Sequence, residues 1–520
     1  MQPTRTFVTL VLCIFAVLVL APMVYMFTVP FVEGGAGTIT EIMAIFDSRQ
    51  LSLARSSFFL AAGATLLSLL FGLPFAFLVE RTDLIGWQIL QVLAVIPLLI
   101  PPYIHAIVWN YLNPLLTRWG VADIHGLGGA MWVQALSFFP IVTILTTSGL
   151  KSVDRSLEEA GIMTLGRWNT IRKITLPLVR PHILSGAVFV FIFALIDFGV
   201  PDIFRVKVYP VEIFIQFSAF YDERAAMLLS LPLICVAIFL LLLQKWSMSN
   251  RIYVQASGGI SQAGRFRLGR RLQAPAFIFC CTLIFFSVGL QLVILLKMAG
   301  PLSTYIQVFR SSCQQIFYSL VLAGGGAFLT LILAFSLSYI VEQTNVWGKR
   351  GIEFCSYLPL AIPAVALGIG LIRIWNRPGI DLIYGSSCII IVGYIAHYLP
   401  FSFITLSSGL KQLNSHLVEV AWMSSPSKIS VVKKIVLPLL TPSLITSYFI
   451  VFLLALGDLG TTLLIIPPGR ETLPIKIYNL MHYGAEQKMA ALCLILVGII
   501  LFFTALLFFT YKRAIRQLSR

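Results

Sequence analysis

The chain has 520 residues, of which 58% are hydrophobic and 11% are charged, with a formal net charge of +16 and a mean hydropathy of +0.92. Because soluble globular proteins carry about 25% charged residues, this composition excludes a soluble domain and predicts a polytopic membrane protein. No basic face on a soluble fold is visible, so we predict the lipid bilayer as a partner and no nucleic-acid partner.

Apolar stretches of about 20 residues can cross a hydrocarbon core roughly 30 Å thick, and such stretches recur along the whole chain. In the first half they lie near 7–28, 57–79, 88–112, 128–150, 182–204 and 226–245. In the second half they lie near 273–298, 316–341, 352–374, 386–407, 440–466 and 489–511. We therefore expect an all-α polytopic membrane protein with about twelve transmembrane helices.

The positions of Lys and Arg indicate the orientation, because basic residues are retained on the cytoplasmic side of a membrane. They are concentrated in a linker at 246–272 and in the tail at 512–520. If both termini are cytoplasmic, these segments lie inside, together with two basic polar segments at 148–181 and 408–442. We predict this orientation.

The two polar segments repeat one pattern. In each, a Glu stands 19 residues before the Pro of an I-x-L-P run, Glu158 before Pro177 and Glu419 before Pro438. A segment held in water between spans suggests a docking element, because only another protein or a headgroup can bind it there. The Glu carboxylate can accept charge-assisted hydrogen bonds from a partner. The alternative is a pair of ordinary amphipathic surface helices with solvated charges.

Apolar residues of the first segment strengthen the docking interpretation, because buried apolar and aromatic side chains dominate many protein interfaces. The candidates to fill a groove of the partner are Leu157, Ile162 and Trp168.

The repetition extends over both halves of the chain. FLVERT at 77–82 matches YIVEQT at 339–344, IPLLIPP at 96–102 matches LPLAIPA at 358–364, and ALIDFGV at 194–200 matches ALGDLGT at 455–461. Weak internal symmetry of this kind is typical of duplicated membrane folds. We predict two tandem six-helix modules related by pseudo-two-fold symmetry, at 1–245 and 273–520, joined by the basic cytoplasmic linker 246–272.

At the repeated segments the chain resembles the membrane subunits of bacterial ATP-binding-cassette importers, whose signature reads E-A-A-x3-G-x9-I-x-L-P. The phrases LEEAGIMTLGRW, DFGVPDIF and PPGRETLPIKIYNLMHYGAE are similar to the ferric-iron type, which in turn resembles the thiamine and phosphonate permeases. The resemblance implies a fused permease of the bacterial inner membrane that passes substrate, in the first instance ferric iron, into the cytoplasm.

The resemblance also implies partners and site residues. Each signature loop would form a cytoplasmic coupling helix docked on its own copy of an ATP-binding subunit, and a periplasmic binding protein would deliver the substrate. In the first loop the coupling residues are Glu158, Glu159, Ala160, Thr164, Gly166, Ile174, Leu176 and Pro177. In the second they are Glu419, Ala421, Ser425, Ile435, Leu437 and Pro438. Thr164 and Ser425 replace the signature Gly, so the turn departs from the usual one.

The chain contains no G-x-x-x-x-G-K-[ST] motif for binding ATP phosphates, so we predict a permease without its own nucleotide site, cofactor or catalytic residue. The first alternative is a thiamine or phosphonate permease. The second is a secondary transporter driven by an ion gradient, which gives no reason for twin signature loops. A non-transporting scaffold or receptor explains neither the loops nor the repeated membrane acids.

Asp197 and Asp458 stand at matching positions, each followed two residues later by Gly199 or Gly460. Ionisable groups at membrane depth are costly and usually face a bundle interior or a water-filled cavity, so these residues are candidates for the transport pathway. The alternative is a helix break in which the Asp caps backbone N–H groups freed near the Gly.

Pro101 and Pro363 present the same choice, between a kink that borders the pathway and a kink that only packs. The six histidines are dispersed without ligand spacing and the cysteines lie mostly in apolar runs, so we predict no metal site. Two outer segments with mixed charges, 205–224 and 467–488, are candidates for docking the binding protein.

Overall fold

The computed structural model describes residues 5–34, 48–118, 120, 123–249, 265–344, 346–413 and 428–518. Their regular secondary structure is helical, apart from one isolated bridge between Thr82 and Phe266. The all-α fold predicted from the apolar stretches is therefore confirmed, and no strand element interrupts the described helices.

Ten described helices are long and apolar enough to cross a membrane, and two bent helix pairs pass the same criterion when each pair is taken together. Counting each pair as one span gives twelve, in agreement with the prediction. The first six are Arg5–Thr28, Ser48–Arg81, the pair Trp87–Leu99 and Pro102–Arg118, Leu127–Lys151, Arg167–Ile196 and Glu223–Trp246. The last six are Arg271–Ala299, Leu302–Gln343, the pair Lys349–Ala361 and Ala364–Trp375, Cys388–Lys411, Val432–Leu456 and Glu486–Arg516.

The third and ninth spans are the bent pairs, with bends of 89° and 111°. The fifth and eleventh spans end at Ile196 and Leu456, and short helices follow them at Gly199–Ile203 and Thr462–Ile465. The four apolar stretches predicted at these places therefore each run across a break. Hydropathy does not reveal the breaks because the residues on both sides are equally apolar.

The described residues divide into two compact units. Unit A comprises residues 40–215 and 229–297, and unit B comprises residues 1–39, 216–228 and 298–520. Each unit thus contains most of one half of the chain together with the leading span of the other half. The module bounds at 1–245 and 273–520 stay a prediction for the sequence repeat, since the compact units are divided differently.

Close packing holds the leading spans in these units. In unit B, a Cβ built at Gly370 of the ninth span would lie 2.6 Å from the carbonyl oxygen of Pro22 in the first span, so only glycine permits this approach. In unit A, Cys280 and Leu283 of the seventh span are buried in one core cluster with Phe75 and Phe139.

Two turns of π-helix stand at matching places in the repeat, Ile171–Thr175 and Val432–Val436. Each lies at the start of the span that follows a signature loop. A π-turn changes the facing of the side chains after it and is frequent at functional sites. Each I-x-L-P run begins within its π-turn, so the helix changes register at this run.

Candidate functional site: a coupling loop and two pairs of helix breaks

The first signature segment forms a helix at Arg155–Leu165 between the fourth and fifth spans. Asp154 caps its start, since its carboxylate accepts hydrogen bonds from the Ser156 backbone N–H and hydroxyl, both at 2.9 Å. These two donors hold the pKa of the Asp154 carboxyl below its usual value. Gly166, with φ +75°, ends the helix in a conformation that favours glycine. The turn that the signature Gly would make is therefore made two residues later.

Glu158 does not lie in water. It is 3% exposed, and one carboxylate oxygen lies 3.1 Å from a guanidinium nitrogen of Arg81 while the other accepts a 2.7 Å hydrogen bond from the Thr175 hydroxyl. Arg81 also donates to the carbonyl of Leu150 at 2.7 Å. The end of the second span thus supplies a buried cation to this carboxylate, a contact that the loop sequence alone does not reveal.

The apolar side chains of the loop do face outward, as the docking interpretation requires. Met163 is 88% exposed, Trp168 is 76% exposed and Leu157 is 52% exposed, whereas Ile162 is half-buried. Leu157 and Met163 lie on the helix Arg155–Leu165, and Trp168 lies at the start of the fifth span. Exposed apolar side chains in such a segment are typical of a protein interaction site. The other predicted members are exposed, except for the half-buried Ile174; they are Glu159, Ala160, Thr164, Leu176 and Pro177.

The fold requires one further residue that the sequence did not single out. A Cβ at Gly161 would lie 2.6 Å from the Ile174 side chain and 2.9 Å from that of Thr170. The helix Arg155–Leu165 therefore packs directly on the start of the fifth span. The small residue Gly161 is visible in the pattern E-E-A-G, but the reason for it is the close approach of Thr170 and Ile174.

In the second signature segment, Glu419, Ala421 and Ser425 lie outside the described residues. Of the remaining predicted members, Ile435 and Leu437 are half-buried and Pro438 is exposed, each beside the π-turn.

The flanks of the two signature segments are built alike. In unit A, the Lys151 ammonium lies 3.7 Å from the Glu80 carboxylate, and in unit B that of Lys411 lies 3.3 Å from Glu342. A small buried apolar cluster lies beside each pair: Leu150, Val153 and Val179 in unit A, and Leu410, Val436 and Leu440 in unit B. The same kinds of contact therefore hold the ends of the flanking spans in both copies of the repeat.

The membrane acids cap helix breaks. Asp458 is 5% exposed and accepts hydrogen bonds from the Thr462 backbone N–H at 2.9 Å and from the Tyr398 hydroxyl at 2.8 Å. Asp197 accepts from the Val200 N–H at 3.2 Å and from the Gln134 amide at 3.1 Å. Both carboxylates therefore satisfy the backbone of the short helix that follows, as the capping alternative predicts.

The glycines beside these acids contact the other two breaks, which are the bends of the third and ninth spans. Pro101 and Pro363 are buried at the bends of the third and ninth spans. A Cβ at Gly199 would lie 3.1 Å from Cβ of Tyr103, and one at Gly460 would lie 2.8 Å from Cβ of Ala364. Each unit thus brings its two broken spans together, with a glycine at the contact.

We expect Gly460→Ala to destabilise the protein by about 1–3 kcal/mol, because the new methyl group meets a Cβ that cannot move without its backbone. Gly498→Ala is the matched control: no heavy atom lies within 4 Å of its added Cβ, and alanine is favoured over glycine inside a helix by about 0.5–1 kcal/mol. Thermal unfolding of the purified variants measures both. Equal midpoints would contradict a tight contact at Gly460.

The outer segments contain a helix each, Tyr209–Ser218 and Leu473–His482. The first N–H of each helix donates to a serine hydroxyl. Tyr209 donates to Ser57 of the second span at 3.0 Å, and Leu473 donates to Ser319 of the eighth span at 2.7 Å. The mixed charges are not all available to a partner, because Glu212 is 6% exposed and pairs with Arg49 at 2.7 Å.

Among the described residues, no group of three or more His, Cys, Asp or Glu side chains is arranged to hold a metal ion. The broken spans, present once in each unit, and the helix Arg155–Leu165 between the fourth and fifth spans indicate the class of protein, a membrane-spanning transport permease. The family described as binding-protein-dependent transport system inner membrane component matches residues 68–250 and 326–517. These matches cover most of the chain, so it belongs to this family of multi-pass inner-membrane permeases of ATP-binding-cassette importers, which are not enzymes.

Named relatives are similar in sequence to this chain over different lengths. The Fe(3+)-transport system permease protein FbpB 2 of Haemophilus influenzae is 24% identical over 88% of this chain and 88% of its own length. The ferric transport system permease protein FbpB of Actinobacillus pleuropneumoniae is 24% identical over 93% of this chain and 75% of its own length. The putative 2-aminoethylphosphonate transport system permease protein PhnV of Salmonella paratyphi A is 29% identical, over 35% of this chain and 66% of its own length.

Proposed function

We propose that the helix Arg155–Leu165 is a coupling helix that docks a separate cytoplasmic ATPase subunit, and that the second signature segment docks another copy. The single observation that carries this proposal is the exposed apolar surface of Leu157 and Met163, on a helix whose opposite side is fixed to the spans through Glu158, together with the exposed Trp168 just after that helix. A rigid helix with an apolar outer surface can transmit a movement of its partner to the membrane helices.

The orientation follows from the same proposal. The signature segments and the linker 246–272 are cytoplasmic, as are both termini, and the helices Tyr209–Ser218 and Leu473–His482 lie on the outer side. The distribution of Lys and Arg supports this arrangement.

A periplasmic binding protein would dock on the outer turns. Tyr221 and Gly484 each lie two residues before the start of the following span, and both have positive φ, 56° and 73°. At these turns Phe220, Tyr221 and Tyr483 are 64%, 85% and 84% exposed. Aromatic side chains are enriched at protein interfaces, and a tyrosine held at positive φ stores strain that a functional contact would justify.

The cargo we propose is ferric iron, because relatives that align over most of this chain are ferric transport permeases by name. The phosphonate relative supports a second candidate over about a third of the chain. The broken spans at Pro101, Asp197, Pro363 and Asp458 would border the passage, since broken helices at membrane depth are tolerated where they are buried in protein or line a cavity.

The deciding measurement is uptake into proteoliposomes that contain the permease, the cytoplasmic ATPase and the loaded binding protein. We expect accumulation of radiolabelled ferric iron only with internal-side ATP and all three components. Omitting the ATPase is the control. Uptake that needs no ATPase and follows a proton gradient would overturn the coupling proposal, and a binding protein that carries thiamine or a phosphonate would overturn the choice of iron.

A further inference from the structure

One carboxylate joins four segments on the cytoplasmic side of unit A. Glu158 of the coupling helix pairs with Arg81 at the end of the second span and accepts from Thr175 at the start of the fifth span. Arg81 in turn donates to the carbonyl of Leu150 at the end of the fourth span. We call Arg81, Glu158 and Thr175 the Arg81 latch; its two charged members are 1% and 3% exposed.

The backbone of Arg81 is held from a further side by the end of the central linker. The Phe266 N–H donates to the Arg81 carbonyl at 2.7 Å, and the Asp83 N–H donates to the Phe266 carbonyl at 3.1 Å. The Asp83 carboxylate accepts the Leu268 N–H at 2.7 Å, and the Phe266 ring stacks on Phe77. The backbone that carries the Arg81 side chain is therefore held by contacts that do not involve the coupling helix.

The second copy keeps the Glu of this latch, as Glu419, but lacks both of its partners. At the position that matches Arg81, between the equivalent Glu and Thr of YIVEQT, stands Gln343. At the position that matches Thr175 stands Val436, which is 1% exposed and packs with Leu410 and Leu440. A carboxylate inserted beside these groups would meet a neutral amide and an apolar cluster, and an uncompensated buried charge is strongly unfavourable.

We propose that Arg81 is a positioning residue that locks the first coupling helix to its own unit, and that the two coupling loops are consequently unequal. Glu158 serves inside the permease and does not bind the ATPase. Glu419 has no counterpart of the latch at these positions and takes its cation from the ATPase surface. This inference rests on the proposed docking of a separate ATPase at both loops.

The first test uses the full-length permease alone, in detergent. Breaking the latch by Arg81→Gln or by Glu158→Gln is expected to lower the unfolding midpoint by about 5–10 °C, because each leaves a buried charge without its partner. The double variant Arg81→Gln with Glu158→Gln should recover most of that loss, since no buried charge remains. Glu419→Gln and Gln343→Ala are the matched controls in the second copy and should leave the midpoint in place.

The second test adds the ATPase and measures its binding to the permease. Glu419→Gln is expected to weaken binding about tenfold or more, as loss of one charged partner at an interface does, while the Arg81→Gln, Glu158→Gln double variant binds within about threefold of the unchanged protein. A Glu158→Gln variant with an unchanged unfolding midpoint and weakened ATPase binding would overturn the latch.

The two tests separate this inference from the function on which it rests. If the ATPase does not bind the unchanged permease at all, the proposed function fails, whatever the unfolding midpoints are. If it binds, and Glu158→Gln and Glu419→Gln weaken binding equally without loss of stability, the loops are equivalent and the inference fails while the proposed function stands.

Discussion

Replacing Leu157, Met163 and Trp168 together by serine is expected to abolish ATP-driven uptake while the permease stays folded. The three side chains are exposed, Leu157 and Met163 on the coupling helix and Trp168 just after it, so their removal costs the isolated permease little. In a complex they would be buried, and the loss of one strong interface anchor costs about 2 kcal/mol or more, roughly a 30-fold weaker association. ATPase binding and substrate uptake in proteoliposomes measure the effect.

Trp347→Ser is the matched control for this variant. Trp347 is 99% exposed between the eighth and ninth spans, outside both signature segments, so its loss should leave ATPase binding unchanged. If the triple variant binds the ATPase as tightly as the unchanged permease does, the helix Arg155–Leu165 is not the docking element. That result would favour the alternative interpretation, an ordinary amphipathic surface helix.

The second large effect is expected at the eleventh span. Asp458→Ala should destabilise the protein by about 2–4 kcal/mol, because the Thr462 N–H and the Tyr398 hydroxyl both lose a buried acceptor. Asp458→Asn should cost far less, since the amide oxygen can still accept from the Thr462 N–H and the tyrosine hydroxyl can turn to accept from the amide nitrogen. Unfolding midpoints of the two variants separate these results.

Uptake by the same variants tests the alternative of an ion-gradient transporter. Asp458→Asn should retain ATP-driven uptake, because the carboxylate has a capping role and no need to exchange protons. Asp197→Asn, at the matching break in unit A, should behave in the same way, since Val200 and Gln134 can keep their contacts. A folded Asp458→Asn variant without any uptake would instead indicate that the acid itself carries an ion.

Much of the fold was predictable because a membrane imposes it. Apolar runs of spanning length have few alternatives to a helix in lipid, and the twelve predicted spans agree with the described helices and bent pairs. The breaks at Pro101, Asp197, Pro363 and Asp458 were less visible. Proline and glycine marked them, but the surrounding residues are equally apolar, so the stretches predicted there ran through the breaks.

The packing partner of the first span could not be predicted from the sequence. Arg5–Thr28 is apolar all round, and nothing in its sequence indicates which helices it contacts; it packs in unit B against Gly370. Adjacency in the sequence favours contact with the second span, yet the first span packs against the ninth. The partner is decided by the shape of the surfaces that meet.

The class of this protein could be inferred without the fold, because its membrane-spanning helices and its signature segments are local patterns that can be compared between the two halves of the chain. Which signature residues are available to a partner depends on contacts between distant segments. Glu158 is turned inward because Arg81, 77 residues earlier in the sequence, ends its span beside the coupling helix. A buried ion pair depends on distances between segments, and spacing along one segment cannot encode them.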